Sequence, residues 1–366
     1  MMTESLANRF GTAARPPRPA RCRSSRVAIA ALLVALSASS ILPTTGRADE
    51  PIETIPDGVS VGALSVSPDS ISLRTPFDYR QLLVTGDAGS GESVDLTRLA
   101  EITIEPPIAQ VDRFGKVTPL AAGTAIATIR YGVSEVTVPI AVSGIEQTYH
   151  PSFVRDVQPV LSRLGCNQGT CHGSKDGKGG FKLSLRGYDA LFDFRSLTDE
   201  IGSRRLNRVA PDQSLMLLKA SGSIPHVGGM LTKPGEPYYE LLRSWIADGV
   251  PFDLDSSPRV ASITIEPQLP VVPRAGMRVQ MRVMATYTDG AVRDVTSEAF
   301  VESGGIEIVE AGRGGIVTTL RRGEAPILVR YEGAYAATTL TVMGDRSGFV
   351  WQPAPVFDPL DELVDA

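Results

Sequence analysis

The chain has 366 residues, room for two or three domains, and is 42% hydrophobic and 21% charged, the balance of a globular rather than a disordered or fibrous protein. A formal net charge of −5 argues against nucleic acid or an anionic membrane surface as the partner. With 35 Gly, 27 Pro and only 6% aromatic residues, the composition implies many turns and cores built mainly from Val, Ile and Leu.

Residues 1–48 read as a signal peptide. Arg9, Arg15, Arg18, Arg21, Arg23 and Arg26 form a basic stretch ahead of the apolar run Val27 to Leu36, which is short for a bilayer. Gly46 and Ala48 offer a small-residue cleavage site, and an uncleaved anchor is the alternative. Cys22 precedes the apolar run, so it is not a lipoprotein cysteine after a cleaved signal. Removal of the leader takes seven basic residues and one acidic residue, leaving a more acidic chain. No later segment is apolar enough to cross a membrane. The expectation is an exported protein, periplasmic or at the cell surface, with no transmembrane span in its mature form.

Residues 60–145 read as strands. Alternation is clear in Ala125 to Tyr131 and in Glu135 to Val142, with Gly, Pro and Asp clusters between the runs. The same pattern returns over 258–344. Leu64-Ser65-Val66-Ser67-Pro68 recurs as Ile263-Thr264-Ile265-Glu266-Pro267, and Asp95-Leu96-Thr97 as Asp294-Val295-Thr296. Gly115-Lys116-Val117-Thr118 recurs as Gly315-Ile316-Val317-Thr318, and Ile129-Arg130-Tyr131 as Val329-Arg330-Tyr331. An ordered repeat of short strands implies two β-sandwiches. Asp95 and Asp294 are expected to hydrogen-bond turn backbone rather than to form carboxylate sites.

Residues 150–252 differ. Phe153, Val157, Val160, Leu161 and Leu164 follow helical spacing up to Gly165. A second helix can start at Pro211 and Asp212 and carry Leu215, Leu217 and Leu218. A third can start at Glu236 and Pro237, bury Tyr238, Leu241, Leu242, Trp245 and Ile246, and close at Gly249 and Pro251. Three short helices wrapped by Gly-rich loops make a poor core, so an enclosed ligand is expected to supply apolar interior. Met216 reads as core and His150 as a boundary residue. The tail, 345–366, is short.

The chemistry is concentrated in Gly165-Cys166-Asn167-Gln168-Gly169-Thr170-Cys171-His172-Gly173. A c-type haem needs two thiols for its vinyl groups and a histidine, directly after the second cysteine, for its iron. Cys171-His172 meets that requirement, although four residues rather than two separate Cys166 from Cys171. Two other readings stay open: a Cys166–Cys171 disulfide, and a zinc site of Cys166, Cys171, His172 and His226. His226 and Met230, in the loop before the last helix, are the candidates for a distal iron ligand. Lys175, Lys178, Lys182 and Arg186 form a local basic stretch that could steer an acidic redox partner or hold propionates.

Residues 60–145 and 260–343 resemble group 2 bacterial immunoglobulin-like domains, through the strand ending in Pro, the Asp-x-Thr and the Gly-x-Val-Thr turn. Residues 150–252 resemble the planctomycete-type cytochrome c domain of large secreted proteins. That resemblance rests on Phe153 with Pro159-Val160-Leu161, on Gly165 to Gly173, on Gly179-Gly180-Phe181-Lys182-Leu183-Ser184-Leu185-Arg186-Gly187, and on Trp245-Ile246 with Gly249-Val250-Pro251. It implies haem c, electron transfer, and His226 rather than Met230 as distal ligand. Asp358 to Ala366 resembles the opening of a further domain of the larger members, so the chain looks like a shortened one.

The expected fold is therefore two all-β immunoglobulin-like sandwiches flanking a small mainly-α cytochrome c-like domain. The expected function is a haem-binding electron-transfer or haem-sensing module, with an unknown redox partner. Cell-surface or polysaccharide contacts could fall to the sandwiches. The alternative is a non-redox binding or adhesion protein with a Cys166–Cys171 disulfide. An enzyme is not expected: no Gly-x-Ser-x-Gly, His-Glu-x-x-His or phosphate loop is present, and three histidines leave little general-base capacity.

Overall fold

The alternation along each repeat becomes a set of short strands whose inward side chains close a core. A computed structural model describes residues 53–350 and 352, apart from 202, 203, 255 and 347; the leader, 1–48, and most of the tail lie outside them. The first repeat contains β1 (Leu64–Ser67), β2 (Ile71–Leu73), β3 (Arg80–Gln81), β4 (Leu83–Gly89), β5 (Glu92–Asp95), β6 (Glu101–Glu105), β7 (Ala109–Val111), β8 (Lys116–Pro119), β9 (Gly123–Tyr131) and β10 (Ser134–Val142). They form three sheets, ordered β1-β4-β5, β2-β10-β9-β6 and β3-β8-β7. On β9 the inward residues are Ala125, Ala127 and Ile129, and on β10 they are Val138, Ile140 and Val142, all buried.

Four helices follow: α1 (Gln158–Arg163), α2 (Ala190–Thr198), α3 (Leu215–Ala220) and α4 (Pro237–Ala247). The second repeat then contributes β11 (Val260–Glu266), β12 (Val271–Val272), β13 (Arg278–Gln280), β14 (Arg282–Tyr287), β15 (Val292–Asp294), β16 (Phe300–Ser303), β17 (Val309–Ala311), β18 (Ile316–Thr319), β19 (Gly323–Tyr331) and β20 (Ala334–Val342). Its sheets, β11-β14-β15, β12-β20-β19-β16 and β13-β18-β17, repeat the first order strand for strand. Even the parallel pairing recurs, β2 on β10 and β12 on β20.

The expected fold needs two corrections. First, the segment over 150–252 is not a mainly-α domain. Its α-helices have 6, 9, 6 and 11 residues, and the rest of it is π- and 3₁₀-helical turns, other turns and loops. Gly-rich backbone explains this: Gly165, Gly177, Gly179, Gly180, Gly187, Gly222 and Gly229 all sit at positive φ, where helices stop. The segment also has a core of its own. Phe153 meets Phe194 at 5.3 Å, Trp245 at 5.4 Å and Phe252 at 5.9 Å, and Val157, Leu161, Leu217, Leu242 and Ile246 surround them. The sandwich cores are mainly aliphatic, with Tyr287 and Tyr331 as their buried aromatic residues. The helix starts at Pro237 and the stop at Gly165 fall as the sequence implies, whereas α2, capped by Asp189 on the Phe192 N–H at 2.9 Å, was not anticipated.

Second, the sandwiches flank the helical segment in sequence but meet each other in space. Buried residues of both repeats belong to one continuous hydrophobic cluster. Asp95 Oδ2 accepts the Gln280 N–H at 2.6 Å, and Asp294 Oδ2 accepts the Gln81 N–H at 2.7 Å. The expected turn bonds are present as well, from Thr97 N to Asp95 Oδ1 and from Thr296 N to Asp294 Oδ1. Arg282, on β14, donates to the Gln81 carbonyl and to Ser67 Oγ of the first repeat and pairs with Glu266.

Two carboxylates, Asp156 buried and Glu298 partly buried, tie the helical segment to these sandwiches. Asp156 accepts from Tyr149 Oη at 2.7 Å, from the Ser152 N–H at 2.9 Å and from Arg293 of the second repeat at 2.8 Å. Burial alone would raise its pKa; Arg293, Arg155 and these hydrogen bonds hold it below the usual range. Glu298 of the second repeat accepts from Tyr79 Oη of the first at 2.7 Å and from Tyr238 Oη on α4 at 3.0 Å. Among the described residues no helix is long and apolar enough to cross a membrane.

Candidate functional site

The nine residues from Gly165 to Gly173 form a knot of turns directly after α1. Cys166 N–H donates to Leu161 O at 2.9 Å, the His172 N–H to Cys166 O at 3.0 Å, and the Gly173 N–H to Gln168 O at 3.1 Å. No helix begins at Cys171-His172; the chain goes from turn to turn. Asn167, only 2% exposed, locks the knot to α1 through Ser162 Oγ at 2.8 Å, and its carbonyl accepts the Arg186 N–H at 3.0 Å. Gly173 is required by space: a Cβ there would lie 2.0 Å from Asn167 O.

Cys166 and Cys171 are both free thiols, so the disulfide of the alternative reading is not formed. Cys166 packs partly against the aromatic core, and burial, with a contribution from Cys171, pushes its thiol up to about 12. A thiol held protonated in this way is inert near neutral pH.

His172 is half-buried. Its Nδ1 lies 3.0 Å from the carbonyl of Phe181, and the Phe181 ring lies 4.6 Å from the imidazole. A carbonyl can only accept, so Nδ1 carries the proton and Nε2 keeps its lone pair. Burial lowers the imidazole pKa most; the Phe181 carbonyl opposes this, and the charges of His226 and Arg205 add to the lowering.

His226 is presented by the loop after α3. That loop is fastened by Lys219 Nζ on Pro225 O at 2.9 Å and by the Leu231 N–H on Ala220 O at 2.8 Å. The His226 Nδ1 lies 3.1 Å from Gly229 O while the Gly229 N–H returns to His226 O at 3.0 Å, so this ring too keeps Nε2 free. Gly228 leaves room for it, since a Cβ there would approach His226 Cε1 to 2.8 Å.

The two imidazoles are thus brought together from loops 54 positions apart in sequence. Their ring centres are 6.5 Å apart and their planes differ by 7°. Met230 is not part of this pair: it lies against Gly222 and is 66% exposed. Met216 packs partly buried against the core, and His150 pairs with Asp248 at 2.8 Å at the segment boundary. Among the described residues no group of three or more His, Cys, Asp or Glu is placed to hold a metal ion, so the four-ligand zinc set is not assembled. Lys175, Lys178, Lys182 and Arg186 are exposed on the surrounding loops. A separate cleft of about 400 Å³, where Tyr79, Tyr238 and Glu298 meet, is lined by none of these residues.

Sequence reasoning missed Phe181 and Arg205, whose guanidinium lies 4.4 Å from the Phe181 ring. Their only signal was a Gly-Gly-Phe turn after the motif and an arginine in a loop with no recognisable pattern.

No protein-family model and no curated protein matches the chain. Among solved structures, it is similar to domains 5–6 of the S-layer protein SbsC, at 12% identity over 78% of this chain and 98% of that one, with a TM-score of 0.30. Domains 4–9 of the same protein give 12% identity over 78% of this chain and 32% of that one, with a TM-score of 0.29. Extracellular domains 3–5 of Drosophila OTK give 4% identity over 78% and 63%, with a TM-score of 0.17.

Proposed function

We propose that the chain is an exported haem protein in which His172 and His226 would hold the iron and immunoglobulin-like sandwiches serve as the scaffold. The observation that carries this reading is the imidazole pair. Two imidazoles bonded through Nε2 to opposite sides of one metal, at about 2.0–2.1 Å apiece, would place their ring centres about 6.4 Å apart. The rings here stand 6.5 Å apart, nearly parallel, with both Nδ1 atoms engaged by carbonyls. Outer hydrogen bonds of that kind set the tautomer and orientation that a metal-binding histidine needs.

The donor set suits a haem better than a bare ion. A porphyrin supplies four nitrogens itself and asks the protein for two axial ligands, which is the number assembled. Cys166 and Cys171 are not tied up in a disulfide, and the resemblance of Gly165 to Gly173 to the planctomycete-type motif supports their attachment to the vinyl groups during maturation, before folding buries the Cys166 thiol. When bound, the haem would supply a one-electron couple. With both axial positions taken by histidine, the residues favour electron transfer or redox sensing over chemistry on a ligand at the iron.

A second reading, a non-redox exported binding or adhesion protein, is supported by the two sandwiches, although the disulfide assigned to it is not formed. The deciding experiment is the absorbance spectrum of protein matured with a haem-attachment system. A low-spin spectrum that survives acid-acetone extraction is expected. His172→Ala and His226→Ala should each lose the low-spin signature, while Met230→Ala keeps it. A colourless wild-type protein leaves only the binding scaffold.

A further inference from the structure

We infer that Arg205 is a positioning residue for His172: it braces the Phe181 turn that fixes which nitrogen of that imidazole is free. The inference rests on the haem reading for its purpose, but its geometry is independent of it. Arg205 is 7% exposed although it is an arginine. One arm of its fork donates to Ser196 O at 2.8 Å and Glu200 O at 2.6 Å, at the end of α2 and just beyond it. The other arm reaches Gly180 O at 3.4 Å and pairs with the Glu200 carboxylate at 3.6 Å. The guanidinium plane lies 4.4 Å from the Phe181 ring.

Phe181 is the residue whose carbonyl accepts from His172 Nδ1. It ends a tight turn closed by reciprocal bonds with Lys178, at 2.9 and 3.0 Å, through Gly179 and Gly180, both at positive φ. A turn through two left-handed glycines has little stiffness of its own. To its two backbone bonds the arginine adds a brace, since it holds the Gly180 carbonyl and the Phe181 ring at once. Lysine offers no planar fork and cannot serve three carbonyls while stacking on a ring. Two consequences follow for the imidazole. The Phe181 carbonyl stays in place, so His172 remains the Nδ1–H tautomer with Nε2 available. Should haem bind at His172, the Arg205 cation, whose charge is felt at that imidazole, would favour the reduced, less positive iron.

The test has one arm without haem and one with it. In haem-free protein, the ring ¹⁵N shifts of His172 should report the Nδ1–H tautomer in wild type and a mixture in Arg205→Gln, with Arg205→Lys between them. In haem-loaded protein, Arg205→Gln should shift the ferric-to-ferrous ratio at fixed poise about tenfold toward ferric, which is about 59 mV for one electron. Arg205→Lys, which keeps the charge, should shift it less. An Arg205→Gln protein with the wild-type tautomer and the wild-type potential overturns the assignment. If wild type takes up no haem, the functional reading fails while the tautomer arm still decides the role of Arg205. If Arg205→Gln does not fold, Phe181→Leu takes its place: it keeps the carbonyl and removes the ring, and an unchanged tautomer in it refutes the brace.

Discussion

Asp95 and Asp294 occupy equivalent places in the two repeats, and each spends one oxygen on its own turn and the other on the opposite repeat. The Gln280 N–H binds Asp95 at 2.6 Å, and the Gln81 N–H binds Asp294 at 2.7 Å. The contact is isologous, as in a two-fold dimer, but lies within one chain.

Removing either carboxylate leaves two backbone N–H groups without acceptors at a packed seam. Asp95→Ala and Asp294→Ala should each lower stability by about 1–3 kcal/mol in urea unfolding. Because they share one interface, the double variant should depart from the sum of the two. Neutral effects from both would show that the seam is held by apolar packing alone.

Asp156 anchors the helical segment through Arg293, which lies 137 positions away in sequence. Asp156→Ala strands that arginine and should cost about 3–5 kcal/mol. The folded carboxyl titrates below the ordinary range, so its contribution is complete above the unfolded pKa and is lost as pH falls through the folded one. Asp156→Asn should therefore flatten the acid limb of the stability profile below about pH 4. An acid limb unchanged by Asp156→Asn would contradict this account.

Glu332, in the turn between β19 and β20, behaves oppositely. Burial pushes its carboxyl up to about 8, Arg330 opposes this, and Asp193 adds to it. A raised carboxyl pKa means that the folded state holds a proton the unfolded chain has released. Stability thus declines as pH climbs from the unfolded value toward about 8. Glu332→Gln should stabilise at pH 8 by ~1 kcal/mol or more and have little effect at pH 5. Equal effects at the two values would remove the carboxyl from the explanation.

Two glycines separate fold from ligand placement. Gly173→Ala sets a Cβ 2.0 Å from backbone, so it should cost at least ~2 kcal/mol and abolish haem uptake. Gly228→Ala meets only the His226 ring, which can swing aside, so it should leave the melting temperature almost unchanged and weaken the low-spin spectrum. Thermal melts and spectra of the two variants check the distinction.

Much of the fold is legible in the sequence because strand alternation and turn residues are local signals. Ala125 to Tyr131 and its counterpart announce β9 and β19, and the doubled Asp-x-Thr announces equivalent turns. What escapes is the second oxygen of each Asp, since nothing local distinguishes an intramolecular acceptor from a solvated one. The helical segment misleads for a related reason. Its helical periodicity is real but brief, and glycines at positive φ break it into turns. At the site, Cys171-His172 is visible as a motif, whereas the pairing of His172 with His226, and the Phe181 carbonyl beneath it, depend on how distant loops are laid down.

Joining the repeats in one polypeptide gives the seam a further property. Two separate sandwiches clasped in this way would fall apart on dilution, since association costs translational freedom. Here the partner is always delivered by the same chain, at an effective concentration set by the intervening residues. The span from the end of β10 to the start of β11 therefore acts as the tether that sets this concentration, and its Asp156 and Tyr238 contacts fasten it to the second repeat as well.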